Sequence, residues 1–350
     1  MMMTACDSKK ASQNTVEEKV VDIEFSADSA FAFCEQQCAF GPRTMNSEAH
    51  EQCGEWIAAK FREYGMQVSQ QRATLKGYDG TPLKSTNIIA SYRPEEKERI
   101  LLCAHWDSRP WADNDPDEAN WRKPVMAAND GASGVAVMLE VARLLNMSPK
   151  FLDDTGLNEG VFVAGSDPQP PNFLDEPSGE AERGGLNLGI DFICFDAEDW
   201  GVPQWSDDGG DSNSWALGAQ YWAEHPHQQG YTARYGILLD MVGGMGARFY
   251  QEGYSRHYAR GTVSRVWQAA SVAGYASYFP PQRGGTVTDD HVPVNEVAGI
   301  PCIDIIPYYP DCEQSSFGPT WHTVDDDMQH IDKNTLKAVG QTLVQVIFSE

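Results

Sequence analysis

Basic residues are scarce in this 350-residue chain: 26 Lys and Arg stand against 51 Asp and Glu, a formal net charge of −25. A surface of that sign repels phosphate backbones and anionic headgroups, which argues against nucleic acid as a partner and favours cationic or neutral ones. No run of 18 apolar residues occurs, so no helix is expected to span a membrane. Cys-x-x-Cys is missing, and with it the usual thiolate clamp of structural zinc sites. Gly-x-Ser-x-Gly, the strand-to-helix elbow of many serine hydrolases, is missing as well. Neither an internal repeat nor a low-complexity linker divides the chain.

What is present is ample core material, 41% apolar residues with 11% aromatic, enough for a sizeable globular unit. Residues 1–20 read as a polar tail and 21–350 as one α/β catalytic domain. Met3-Thr4-Ala5-Cys6 resembles the end of a bacterial lipoprotein signal, which implies lipid on Cys6 and a place in the periplasm or cell envelope. Cys34, Cys38 and Cys53 cluster closely enough for one disulfide, whereas Cys103 and Cys194 sit in apolar runs and read as buried thiols.

Helical periodicity covers residues 26–38 and 47–64, the second stopped by Gly65. Strand and helix patterns then alternate: strands at 86–92, 99–104, 190–195, 236–240 and 300–306, helices at 131–145, 212–225, 256–273 and 333–348. That order predicts a three-layer α/β sandwich with a mostly parallel, twisted central sheet flanked by helices on both faces. The strands are continuous apolar runs, as expected when both faces are covered. Long irregular stretches at 106–129, 165–189 and 200–214 read as functional rims.

The chemistry gathers just after the strands. His105 and Asp107 lie in "CAHWDS", Asp130 in "AANDGASG", Glu198 and Asp199 in "AED", Asp240 in "LLDMVGG" and His322 in "TWHTVDD". Each alone has an ordinary reading: Asp130 as a helix cap, Asp240 as a turn residue, a histidine as a hydrogen-bonded side chain. Together they differ. Several carboxylates buried at one sheet edge need a cation or shared protons, and imidazole with carboxylate is a donor set for a divalent ion such as zinc. Asp326 and Asp327, by contrast, read as solvated charge before the last helix.

In this combination the residues resemble the zinc-dependent aminopeptidase clan, and within it the animal-type glutaminyl-peptide cyclotransferases of bacterial origin. The resemblance runs from about residue 40 to the C-terminus. In the aminopeptidase branch the positions matching His105, Asp130, Glu198-Asp199, Asp240 and His322 hold two zincs, with Asp107 orienting His105. "TVTDDHVPV", carrying Asp289, and the stretch from "IPYYP" to "FGPTWHTVDDD" resemble the cyclase branch instead. That branch implies one Zn²⁺ per chain on Asp130, Asp199 and His322, although Asp199 replaces the commoner Glu. It implies a proton carrier at Glu198, hydrogen bonds and a proton shared by Asp240 and Asp289, and aromatic pocket walls at Trp205, Phe317 and Trp321. The implied reaction converts N-terminal glutamine of peptides or proteins to pyroglutamate with release of ammonia. The rival expectation is a two-zinc aminopeptidase that uses His105 and Asp240 for a second ion, and a third is a non-catalytic binding module on the same fold, against which the intact Glu198 argues.

Overall fold

The computed structural model describes residues 19–151, 186, 188–206 and 212–350. Cys6, the polar tail before residue 19 and nearly all of the 165–189 insertion lie outside the described residues.

The chain opens with helices α1 (Ala27–Ala39) and α2 (Glu48–Glu63), each begun by a serine side chain that accepts an N–H three residues on: Ser26 from Ser29, Ser47 from His50. Gly65, in the left-handed region at φ 76°, ends the second, its N–H bonding the Arg62 carbonyl. Strands β1 (Gln67–Lys76), β2 (Pro82–Tyr92) and β3 (Arg99–His105) follow, then α3 (Ala132–Phe151), β4 (Gly189–Phe195), α4 (Leu217–Glu224) and β5 (Gly236–Leu239). The chain finishes with α5 (Gly253–Tyr258), α6 (Arg260–Val272), α7 (His291–Glu296), β6 (Cys302–Ile305) and α8 (Lys333–Phe348).

One six-stranded sheet is ordered β1-β2-β4-β3-β5-β6. β4, β3, β5 and β6 run parallel, while β2 pairs antiparallel with β4 and β1 antiparallel with β2. Alternate residues of β3 serve opposite faces. Ile100, Leu102 and Ala104 join the large core under α1, α3, α6 and α8, and Leu101 and Cys103 join the smaller core under α4 and α7. The α8 stripe of Leu336, Val339, Leu343, Val346 and Ile347 is fully buried in the larger one. Gly134 lets α3 lie directly against the sheet, because a Cβ there would meet the Leu239 carbonyl oxygen at 2.3 Å.

Four elements depart from expectation. The helix expected at 212–225 begins only at Leu217, after a left-handed Ala216 with φ 55°. β1 is a half-exposed edge strand whose polar sequence, "QVSQQRATLK", hides it from an apolar-run search. The helix expected at 256–273 is two helices broken at Ala259, where the backbone leaves the helical region (φ −133°, ψ 42°). α7, only six residues long, carries Pro293 and shows no helical period. Cys34, Cys38 and Cys53 are all free thiols.

Candidate active site

Because four strands run parallel, their C-terminal ends open on one edge, where α/β sheets place ligands. His105 ends β3, Asp196 to Asp199 follow β4, and Asp240 follows β5. Asp130 comes just before α3, Asp289 just before α7, and His322 lies in the loop between β6 and α8. These turns are held under strain: Ala127, Ala197, Met241 and His322 all have left-handed backbones, with φ of 57°, 54°, 50° and 54°. Such conformations persist only where surrounding structure fixes them, and here they flank the candidate residues. Gly131, at φ 106°, is equally constrained, since a Cβ would meet the Asp107 carbonyl oxygen at 2.7 Å.

Asp130 stands at the centre. Its Oδ1 lies 3.0 Å from His105 Nε2 and its Oδ2 3.7 Å from His322 Nε2. His322 Nε2 is also 3.2 Å from Asp199 Oδ1, and His105 Nε2 is 3.2 Å from Asp240 Oδ1. Two buried groups therefore share Asp130: Asp130–Asp199–His322 and His105–Asp130–Asp240, the donor atoms of each lying within 4.8 Å of one another. A cavity of about 380 Å³ opens beside them, lined by Glu198, Asp240, Asp289, Phe317, Trp321 and Trp215 among others.

The three acids after β4 part ways. Asp196 turns inward, accepting from His50 Nε2 at 2.8 Å and from the Thr86 N–H at 2.6 Å. Glu198 faces the cavity and Asp199 faces His322. Asp107 lies 3.5 Å from His105 Nδ1, yet its two oxygens accept the backbone N–H groups of Glu198 and Asp199 at 3.1 Å each. It thus fixes the turn that aims both acids.

The aromatic wall differs from expectation at one position. Phe317 and Trp321 line the cavity, 4.9 Å apart between ring centroids, and Trp321 stacks on His322 at 3.8 Å. Trp205 is not among the lining residues. It packs against Trp111 and Trp121 with the Arg122 guanidinium 3.8 Å above its ring, and the Gln204 N–H beside it is tied to Asp113. Trp215 takes the wall position instead, its ring nearly parallel to that of His322 at 5.9 Å. Asp326 is a second correction, being buried, not solvated: its oxygens accept the N–H groups of Asn129 at 2.7 Å and Asp130 at 3.0 Å. Arg109, Asp113 and Trp215 join the site without any motif to mark them; the one signal is that Arg109 and Asp113 stand four apart directly after "HWDS".

Burial sets the electrostatics. It pushes the Glu198 carboxyl well above the usual range, with Asp199, Asp289 and Asp290 adding to the rise and His105 opposing it. Burial likewise raises Asp240, to about 7, aided by the charges of Asp130 and Asp289 against the His105 hydrogen bond. Asp199 is raised by burial as well, His322 opposing. Asp130 shows the opposite balance: burial works to raise it, but His105 and His322 together hold it below its ordinary value.

Does this set suit a divalent ion? Asp199 Oδ2 is buried without a hydrogen-bond partner, beside an imidazole nitrogen and a second carboxylate. An unpartnered buried carboxylate oxygen is costly, and two carboxylates with one imidazole form a zinc-type set that leaves a position open. Asp130, Asp199 and His322 therefore fit such an ion. In the other group His105 Nε2 is within hydrogen-bond distance of both Asp130 and Asp240, while its Nδ1 is buried without a hydrogen-bond partner.

The model of peptidase family M28 matches residues 87–347. Among curated proteins, the glutaminyl-peptide cyclotransferase of Gloydius blomhoffii is 28% identical over 273 residues, 74% of this chain and 63% of that protein's length. Among solved structures, the Bacteroides thetaiotaomicron glutaminyl cyclase bound to N-acetylhistamine is 48% identical, covering 94% of this chain and 99% of its own, with a TM-score of 0.81. A leucine aminopeptidase precursor from the same species is 47% identical, covering 95% and 100%, with a TM-score of 0.80. With residues 87–347, three-quarters of the chain, matched, this protein belongs to peptidase family M28.

Proposed function

We propose that the chain is a glutaminyl-peptide cyclotransferase that closes N-terminal glutamine of peptides or proteins to pyroglutamate, with one zinc ion per chain. The observation that carries this reading is the aromatic-walled cavity in which Glu198 and Asp289 face the Asp130–Asp199–His322 group. The solved Bacteroides glutaminyl cyclase, alike over nearly its whole length, supports it. Asp130, Asp199 and His322 would hold the ion. Bound there, zinc supplies Lewis-acid polarisation of the substrate's γ-carboxamide carbonyl.

The chain's own residues do the rest. Trp215, Phe317 and Trp321 form walls that hold the glutamine side chain folded back toward its own α-amine, which turns ring closure into an oriented intramolecular step. Asp289 and Asp240, on the same cavity, bind the amine; the hydrogen bond expected between them is not formed, since Asp289 Oδ2 has no hydrogen-bond partner and Asp240 Oδ1 faces His105 Nε2 instead. Glu198 accepts a proton from the amine as the N–Cδ bond forms and delivers it to the side-chain nitrogen as the Cδ–N bond breaks. Ammonia and a pyroglutamyl peptide leave. Burial raises the Glu198 carboxyl, with Asp199, Asp289 and Asp290 adding to the rise, so it holds a proton more firmly than an exposed glutamate, as a group that takes up a proton and passes it on requires.

A second reading has an observation of its own. His105, Asp130 and Asp240 also converge, which would suit a second ion and an aminopeptidase. Ammonia release from a Gln-Ala peptide, measured beside hydrolysis of a leucyl anilide and metal analysis of the same sample, decides. Ammonia release with one zinc supports the cyclase. Anilide hydrolysis with two ions and no ammonia overturns it. No helix among the described residues is long and apolar enough to cross a membrane. Envelope attachment through lipid on Cys6 belongs to the same proposal, and the mass of the native protein's N-terminal peptide tests it.

A further inference from the structure

Arg109 takes no part in the chemistry above, yet it is 1% exposed and wholly enclosed by the site. Its Nε and Nη2 make a two-pronged bond to Asp113, at 2.9 Å to Oδ1 and 2.7 Å to Oδ2. Nη1 donates to the carbonyl oxygens of Asp199 at 3.1 Å and Gly201 at 3.2 Å, and lies 3.5 Å from Asp199 Oδ1. Asp113 Oδ1, on its other side, is 3.4 Å from His322 Nδ1. One buried ion pair therefore touches two of the three candidate ligands, while the third, Asp130, is held separately by Asp326.

A buried pair of this kind needs a reason. Desolvation offsets most of its Coulombic gain, so an apolar pair of the same shape would stabilise the fold about as well. The contacts supply the reason. A carboxylate at His322 Nδ1 keeps the proton on that nitrogen and leaves the Nε2 lone pair aimed at Asp130 and Asp199. The guanidinium fork stops Asp113 from rotating away. The same guanidinium sits beside Asp199 Oδ1 while Oδ2 has no hydrogen-bond partner, orienting a ligand one methylene shorter than glutamate. The loop carrying the pair also clamps the His322 loop, the Asn114 N–H donating to the His322 carbonyl at 3.0 Å and Asp115 accepting the Val324 N–H at 3.1 Å. The Arg109 guanidinium finally lies 4.6 Å from the ring centroid of Trp215, joining pocket wall and ligands in one unit.

We propose that Arg109 and Asp113 are positioning residues that orient Asp199, fix the tautomer of His322 and thereby set the affinity of the site for zinc. This rests on the zinc reading above. The experiment strips the full-length protein, reloads it with Zn²⁺ against a chromophoric chelator, and records visible spectra of the Co²⁺-substituted form for wild type, Asp113→Asn and Arg109→Lys. The expected result is zinc affinity weakened by ~10–100-fold in both variants, with a shifted Co²⁺ spectrum. Wild-type affinity and spectrum in either folded variant overturn the proposal. Absence of tight zinc binding by wild type sinks the zinc reading and this inference together, which separates the two failures. If neither variant folds, histidine ¹⁵N shifts of the zinc-loaded wild type decide: metal on His322 Nε2 with the proton on Nδ1 supports the assignment, metal on Nδ1 overturns it.

Discussion

Replacing Glu198 with Gln separates proton transfer from every other property of the site. Among the described residues no hydrogen bond reaches the Glu198 carboxylate; the turn is held through its backbone N–H by Asp107. Burial already favours the protonated, uncharged carboxyl, which the amide matches in shape and charge. The fold and the Asp130–Asp199–His322 group should therefore survive, and zinc content should stay at the wild-type level. Turnover should not. A positioned acid–base group contributes roughly 10²–10⁴-fold, equivalent to about 3–5 kcal/mol on the barrier. The assay is steady-state ammonia release from Gln-Ala peptide, with thermal melting and metal analysis on the same preparation. A loss confined to kcat, with KM close to wild type, is the expected pattern. Turnover within a few-fold of wild type in a folded, zinc-loaded variant would refute the assignment of Glu198 as proton carrier.

Three further outcomes are expected. Trp215→Ala should raise KM at least ~10-fold while Trp205→Ala leaves it within about two-fold, because only the former lines the cavity; the reverse ranking in peptide kinetics would restore Trp205 to the wall. Asp326→Ala strands the buried N–H groups of Asn129 and Asp130 and should cost about 2–4 kcal/mol in urea titration, with weaker zinc binding; an unchanged midpoint would remove Asp326 from the support of Asp130. Glu252 gives a pH signature. Burial opposes its ionisation, but His291 and the N–H groups of Ser255 and Val287 hold its pKa at about 2 against an ordinary 4.5. A depressed carboxyl stabilises the fold above its unfolded pKa and loses that contribution, about 3 kcal/mol here, as pH falls toward 2. Glu252→Gln should thus be destabilised at pH 7, with the gap to wild type shrinking at about pH 3. A gap independent of pH would contradict the assignment.

The parts of the molecule legible in the sequence are those governed by local pattern. β3, β4 and β5 are largely apolar because helices cover both faces, and α8 shows its apolar stripe within a helix that leaves only a narrow side, at Lys333, Asn334, Lys337 and Gln341, outside the core. Parallel strands then force the acids that follow them to a common edge, so the company kept by Asp130, Glu198, Asp199 and His322 could be expected from order alone. Long-range capture could not. Asp326 looks like one charge in a run of three, and only the approach of the Asn129–Asp130 turn, nearly two hundred residues earlier, makes it a buried acceptor. Trp205 and Trp215 both occupy the irregular segment after β4, and which reaches the cavity depends on Asp113 and Arg122 holding the former outside.

Asp130 belongs to both groups of converging donors, one oxygen toward each histidine. A substitution at Asp130 would therefore disturb both groups at once, because its two oxygens are what the groups have in common.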